Sequence, residues 1–372
     1  MPPTGILGTD EEGVGTVVVD FQRDEDLNRI LASLAPGTVI RDGIERVIGA
    51  GRGALIVLGY DDAVEEIISG GFVINIPATE QRIAELAKMD GALILDADGS
   101  RIMRANVHLV PEASVSTSET GTRHRSAERS ARQLNVPVIS VSESMSRVTL
   151  YWGDRRHVVE PVSNLLFRAN QALSTLERYR ARLDEVTSNL SAREIEDAVV
   201  LRDVVVTIQR AEMVRRIATE IQDQIIELGT EGRLIKLQLE ELMSSVDDER
   251  ALIVQDYLGD RRRQLSSVLE QLDSFDTEEL LSLANVTTAL AYDVEAIDRP
   301  VMPRGHRLLS RVPRLPDHII TRLVESFGSL RSVMDASLDD LIEVEGIGET
   351  RARRIQDALR RRAEANLLLR YD

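Results

Sequence analysis

An Asp90-Gly91-Ala92 tripeptide stands at the head of an apolar run, and farther along Gly121-Thr122-Arg123-His124-Arg125-Ser126 opens a stretch with helical periodicity. These residue types handle phosphate. The first N–H groups of a helix have no internal partner and guanidinium forks match phosphate oxygens, so two arginines and an imidazole among glycine and hydroxyls make an anion site there. A carboxylate at a strand edge can hold a metal or orient a hydroxyl. Together the segments point to chemistry on a nucleotide phosphate. Asp90 before glycine can equally be a turn carboxylate closing a strand end, and Ser126 can equally cap a helix beginning near Ala127.

Other chemistries fall away on composition and spacing. The chain has no cysteine, hence no thiol nucleophile. It contains no Gly-x-Ser-x-Gly elbow and no Gly-x-x-x-x-Gly-Lys-Ser/Thr loop. The five histidines, His108, His124, His157, His306 and His318, are scattered without the i, i+3 or i, i+4 spacing of a zinc site.

Short apolar runs must position the phosphate segments. Ala54-Leu55-Ile56-Val57-Leu58, Ala92-Leu93-Ile94-Leu95, Val136-Pro137-Val138-Ile139 and Val148-Thr149-Leu150-Tyr151-Trp152, bounded by Gly, Asp or Pro, predict buried strands alternating with amphipathic stretches. This first part is α/β. No proline occurs between Pro161 and Pro300, and the glycines there are Gly229, Gly232 and Gly259. Leu165, Ala169, Leu173, Leu176, Tyr179 and Leu183, then Ile208, Ala211, Ile217, Ile221, Ile225 and Leu228, step by three, four or six residues. They predict long amphipathic helices interrupted near Ser191 and at Gly229 to Gly232. Such a bundle is a spacer or an oligomerisation element before it is a catalytic one.

After Pro300 the chain reads Leu341-Ile342-Glu343-Val344-Glu345-Gly346-Ile347-Gly348-Glu349-Thr350-Arg351-Ala352-Arg353-Arg354-Ile355. This resembles a helix-hairpin-helix motif. Gly346 and Gly348 permit a tight turn whose backbone N–H groups can meet a DNA phosphate, Ile347 plugs the hairpin and Ala352 lets the helices approach. Thr350, Arg351, Arg353 and Arg354 complete the candidate DNA surface. A glycine turn between two ordinary helices is the alternative. Upstream, the stretch from Val312 through Arg314 and Pro316 to Gly328 looks like a degenerate first copy. Two such hairpins bind backbone and shape, not base sequence.

At 372 residues and 43% apolar, the chain has room for two or three cored domains. The net charge of −17 hides an asymmetry: residues 301–372 carry 13 Arg and no Lys against 11 acidic residues, a net of +2 that leaves −19 on the first 300. Lys88 and Lys236 are the only lysines. An arginine-dominated surface suits bidentate phosphate contact, although codon bias produces the same usage. With no apolar run near 18 residues and an acidic start at Asp10, Glu11 and Glu12, the expected location is cytoplasmic, with no membrane partner.

Four blocks in order carry a closer likeness: Gly53-Ala54-Leu55-Ile56-Val57, Asp90-Gly91-Ala92, Arg123-His124-Arg125 with Ser126-Ala127, and Ser140-Val141-Ser142-Glu143. They resemble the diadenylate cyclase family, and with the helical middle and hairpin end the chain is similar to that family's DNA-binding type. The resemblance implies a multidomain α/β plus all-α protein. Residues 21–160 would be a cyclase domain with a central mixed sheet, 161–300 a helical spine and 301–372 a helix-hairpin-helix domain, while residues 1–20, glycine-rich and acidic, have no clear counterpart in the family and are expected to be disordered.

It also implies a reaction: two ATP molecules face each other across paired domains and condense to cyclic di-AMP and two pyrophosphates. By the same match Asp90 orients the attacking hydroxyl and holds Mg²⁺ or Mn²⁺, and Gly91 and Ala92 leave space for the nucleotide. Leu109 packs on adenine or ribose. Thr122, Arg123, His124, Arg125 and Ser126 bind phosphate, with His124 a donor to phosphate or to water on the metal, while Ser142 and Glu143 complete the surroundings. Position 126 is Ser where the family frequently has Thr, which keeps the hydroxyl. Partners would be branched or damaged DNA such as Holliday junctions, regulating synthesis, and further copies of the chain in an octamer with cyclase domains central and DNA-binding tips outward. Two readings stand beside this one: a non-catalytic DNA-binding repair accessory whose first domain only senses nucleotide, and an oligomeric scaffold.

Overall fold

A computed structural model of the chain describes residues 25–143, 145–259 and 263–368. The expectation for residues 1–20 lies outside them. The fold separates into two compact units, residues 1–157 and 158–372.

The first unit is α/β. In chain order its elements are α1 (Glu25–Ser33), α2 (Val39–Gly49), β1 (Ala54–Leu58), α3 (Asp62–Ile67), β2 (Ile68–Ser69), β3 (Phe72–Pro77), α4 (Glu80–Leu86), β4 (Ala92–Leu95), β5 (Arg101–Leu109), α5 (Thr122–Leu134), β6 (Val138–Val141), β7 (Val148–Trp152) and β8 (Arg155–Val159). The sheet is mixed. Its order is β2-β5-β4-β1-β6-β7-β8, with β3 also pairing with β5. β1 runs parallel to β4 and antiparallel to β6.

Residues of β1, β4, β6 and β7 are buried almost throughout, which is why they read as unbroken apolar runs. β6 starts two residues later than its apolar run, because Pro137 has no N–H for the ladder; its carbonyl instead accepts from Leu58 N at 2.9 Å. The long β5 carries arginines and no apolar run. Its register with β4 shifts twice, once around a left-handed Asn106 (φ +57°) and again between Arg104 and Ile102.

The registers place the chemistry. Ala54 lies opposite Val141 and Ala92 opposite Val107. The N-terminal ends of β1 and β4 and the C-terminal ends of β5 and β6 therefore share one edge of the sheet.

The second unit is helical: α6 (Val162–Ile195), α7 (Leu201–Leu228), α8 (Arg233–Met243), α9 (Val246–Tyr257), α10 (Leu265–Ser274), α11 (Thr277–Leu281), α12 (Leu283–Ala289), α13 (His306–Ser310), α14 (Asp317–Phe327), α15 (Leu330–Asp335), α16 (Leu338–Ile342) and α17 (Glu349–Leu368). Leu165, Ala169, Leu173, Leu176 and Leu183 of α6 pack on Ala211, Val214, Ala218, Ile221 and Leu228 of α7 in one core. The break expected near Ser191 falls a few residues later, between Ile195 and Leu201. Ser191 Oγ donates to Thr187 O at 2.9 Å, an i−4 bond that satisfies the hydroxyl inside a continuing helix, and α6 ends at Ile195. Gly229–Gly232 does form a break, as a 3₁₀ turn.

Candidate active site and nucleic-acid interface

Helix α5 begins one residue after Gly121, its N-cap, so Thr122, Arg123, His124, Arg125 and Ser126 all lie within the first turn and a half. Ser126 is therefore inside the helix and not its cap. No side chain caps the N-terminus, which leaves backbone N–H groups turned outward with the positive end of the helix dipole. The approach to this turn is fixed: Glu128 accepts from Ser118 N at 3.0 Å and from Thr117 Oγ1, and Arg132 Nη1 donates to Ser116 O at 2.7 Å.

A cavity of about 280 Å³ opens at the shared sheet edge, bounded by Asp90, Gly91 and Ala92, by Leu55, by Val107, His108 and Leu109, and by Thr122, Arg123 and Ser126. Beside it a second cavity of about 500 Å³ is bounded by Gly121, Thr122, Arg123, His124, Ser142 and Glu143. Thr122 and Arg123 face both. Of the residues singled out in the sequence, Arg125 alone lines neither; it is exposed on the same turn.

Asp90 is exposed, and its nearest cation is Arg123, with Nη2 3.9 Å from Oδ1. That gap is too long for a hydrogen bond and leaves the carboxylate available. Among the described residues no group of three or more His, Cys, Asp or Glu is arranged to hold a metal. A cation here would take Asp90 from the protein and its remaining oxygens from nucleotide and water, which suits a hard divalent ion.

Two glycines are required by internal contacts. A Cβ on Gly53 would stand 2.1 Å from Arg123 Nη1 and 2.8 Å from Val141 O. A Cβ on Gly91 would stand 2.6 Å from the Asn106 backbone, so the tripeptide's glycine makes room for the β5 bulge first.

Behind α5, Tyr151 Oη donates to Glu119 Oε1 at 2.7 Å and lies 3.0 Å from His124 Nδ1. Burial pushes His124 below the ordinary histidine range, and Arg156, Arg123 and Arg147 act in the same direction against Glu119. Burial, with the neighbouring Glu119 carboxylate, pushes Tyr151 well above the usual phenol range. Leu55, Val107, His108, Glu119 and Tyr151 were not among the candidate site residues read from the sequence. Leu55, Val107 and His108 lie near the shared edge, which only the pairing of β1 with β6 and of β4 with β5 reveals, whereas Tyr151 stands opposite Val138 at the other end of β6 and is tied to the site by its hydroxyl.

The second unit carries the hairpins. Val344, Ile347, Ala352 and Ile355 are buried in one core with Leu309, Ile319 and Leu323. Gly346 has φ +90°, and a Cβ there would stand 2.6 Å from Ile319 Cδ1. Gly348 has open space around it. Arg351 donates to Gly346 O and Arg353 pairs with Glu349, while Thr350 is exposed and Arg354 half-buried. Arg322 reaches from α14 to Glu345 O at 3.1 Å, tying the two hairpins together.

Family models match three successive stretches: "DisA bacterial checkpoint controller nucleotide-binding" over residues 41–156, "DisA bacterial checkpoint controller linker region" over 159–297 and "SAM-like Helix-hairpin-helix tandem" over 307–361. The chain is 55% identical over 357 residues to the DNA integrity scanning protein DisA of Acidothermus cellulolyticus, covering 95% of this chain and 97% of that one. It is 53% identical to the protein of the same name in Kineococcus radiotolerans, covering 95% and 99%. Among solved structures it is similar to DacA from Staphylococcus aureus, a double mutant, at 19% identity and TM-score 0.30, over 37% of this chain and 91% of that one.

Proposed function

This chain belongs to the DNA integrity scanning protein family, and from that premise we propose how its residues divide the work of a DNA-responsive diadenylate cyclase. The chain is a diadenylate cyclase with a DNA-binding helix-hairpin-helix region. It condenses two ATP into cyclic di-AMP. Each ribose 3′-hydroxyl oxygen bonds to the α-phosphorus of the other nucleotide, the α–β bridging P–O bond breaks, two pyrophosphates leave and the hydroxyl protons are released. Enzymes of this class use a divalent metal. Among the described residues no helix is long and apolar enough to cross a membrane.

The residue assignments are proposals. Arg123, with the N–H groups of Thr122 and its neighbours, holds the triphosphate; Ser126 and Arg125 extend that surface; Leu109 and Ala92 flank the nucleoside; Ser142 and Glu143 border the pyrophosphate side. Asp90 orients the attacking hydroxyl and is the protein's ligand to Mg²⁺ or Mn²⁺, which when bound would neutralise charge building on the phosphates. Catalysis of this kind is positioning and charge stabilisation, with no covalent intermediate on a side chain. The observation that carries the reading is Asp90 facing Arg123 and the α5 N-terminus across one cavity. Because one such site holds one ATP, a second copy must face it, and an octamer is the assembly we propose. Residues 21–160 catalyse, 161–300 connect and 301–372 sample branched or damaged DNA to regulate the rate.

Purified protein incubated with ATP and either Mn²⁺ or Mg²⁺ is expected to yield cyclic di-AMP, and Asp90→Asn to reduce it at least about a hundredfold. No product with several metals would overturn the assignment. A four-way junction that binds tightly and leaves the rate unchanged would overturn the regulatory part.

A further inference from the structure

Glu119, in the loop entering α5, begins a chain of three hydrogen-bonding groups that fixes where protons sit. Arg156 Nε lies 2.9 Å from Glu119 Oε1, and the hydroxyl of Tyr151, 1% exposed, lies 2.7 Å from the same oxygen. A carboxylate paired with arginine offers only lone pairs, so the single Tyr151 proton points to Glu119. The Tyr151 oxygen then presents lone pairs to His124, and at 3.0 Å Nδ1 must carry the hydrogen. In a neutral imidazole Nε2 is left as an acceptor. That atom is buried and has no hydrogen-bond partner in the structure, on a ring that borders the 500 Å³ cavity beside Arg123 and Ser142.

We infer that Glu119 and Tyr151 are positioning residues that hold His124 as the Nδ1–H tautomer, so that Nε2 accepts a hydrogen bond from an O–H group of the bound reactants and donates none to phosphate. The inference rests on the cyclase reading of this site. Donors are already plentiful there, from Arg123 and the α5 N-terminus, whereas Nε2 is an unpartnered acceptor on a ring that borders the cavity. A hydroxyl whose oxygen must attack phosphorus needs its hydrogen directed away from the line of attack, which such an acceptor does. The donor is either a ribose hydroxyl or an ordered water; both present the same chemistry to Nε2.

The test uses full-length protein labelled with ¹⁵N-histidine and sedimented for magic-angle-spinning NMR. With five histidines in the chain, His124 is assigned by the signals lost in His124→Gln. The expected spectrum has protonated Nδ1 and unprotonated Nε2, and a non-hydrolysable ATP analogue shifts Nε2 while Nδ1 stays. If the shift is absent with the 3′-deoxy analogue the donor is the ribose 3′-hydroxyl, and if it persists the donor is water or the 2′-hydroxyl. Tyr151→Phe is expected to populate both tautomers and to lower kcat about tenfold with KM for ATP within about twofold. A protonated Nε2 in the wild type, an Nε2 signal indifferent to nucleotide, or an unchanged tautomer in Tyr151→Phe would overturn the inference. Should Tyr151→Phe not fold, the wild-type spectra decide. Failure of the cyclase reading is seen separately, as absence of product from wild-type protein.

Discussion

Gly53 and Arg123 form the tightest pairing at the candidate site, and they separate activity from stability. The Gly53 backbone is not left-handed, so alanine is permitted there by conformation; what it meets is the Arg123 guanidinium at 2.1 Å and Val141 O at 2.8 Å. A guanidinium is the far end of a flexible side chain and swings aside at small cost, yet the phosphate contact we propose for it depends on its position. Gly53→Ala is expected to lower kcat/KM at least tenfold, about 1.4 kcal/mol of transition-state stabilisation, while the loss in unfolding free energy, set by the Val141 contact, stays within about 1–3 kcal/mol. Gly91→Ala strikes the Asn106 backbone at 2.6 Å, where nothing can swing aside, and loses stability together with activity. Steady-state kinetics beside thermal unfolding distinguishes the two; equal stability losses would place Gly53 with Gly91 as a packing residue. Asp90, Arg123 and His124 could be proposed from the sequence because their types and order point to phosphate chemistry. Tyr151 could not, because it sits in an apolar run that reads as core and its hydroxyl gains meaning only through Glu119 and His124.

At the scale of elements, the two hairpins show what a glycine does in each place. Gly346 sits at φ +90° against Ile319, so Gly346→Ala adds both backbone strain and a clash and is expected to cost about 2–4 kcal/mol and to weaken DNA binding through misfolding of the turn. Gly348 has no such constraint, and a Cβ there enters open space. Gly348→Ala is therefore expected to leave stability within about 0.5–1 kcal/mol of wild type and still to weaken binding to junction DNA, since the methyl would occupy the approach we propose for a DNA phosphate at the α17 N-terminus. Equal effects of both substitutions on unfolding would contradict this. In the upstream copy Arg314 occupies the left-handed position (φ +59°) and Pro316 replaces the second glycine, removing one N–H donor. This degenerate pattern was readable in the residues. Of the strands that went unread, β5 and β8 share a cause: Arg101, Arg104, Asn106, Arg155 and Arg156 interrupt them, and the bulge at Asn106 breaks the alternation by which a half-buried strand is recognised; β3 is interrupted instead at Asn75, left-handed at φ +49°, where its register with β5 shifts.

Across the whole second unit, DNA binding can influence anything upstream only if the hairpins are joined stiffly to the long helices, and the joint is a buried ionic cluster. Asp256, at the end of α9, accepts from the N–H groups of Gly305, His306 and Arg307 at 2.8–3.0 Å and so caps α13 from another helix. Arg307, with no exposed surface, pairs with Glu194 of α6 and with Glu249 of α9 at 2.7 Å, and Arg311 closes on Glu249. Tyr257 donates to Glu194 at 2.8 Å. Burial pushes Glu194 above the ordinary carboxylate range against the pull of Arg307. Arg307→Leu strands that carboxylate and is expected to cost about 3–5 kcal/mol, whereas Arg307→Leu with Glu194→Leu should recover a large part of the loss. Chemical unfolding of both variants measures the difference. The functional consequence follows from where the cluster sits: it touches no DNA-facing residue, so junction affinity of the double variant should stay within a few-fold of wild type. If the ionic geometry, and not mere packing, sets the angle at which the hairpins leave the helices, the double variant will bind junctions and fail to change its rate of cyclic di-AMP synthesis when it does. A double variant that is as stable as wild type and fully responsive would show that apolar packing suffices at this joint and that the charges set no geometry there.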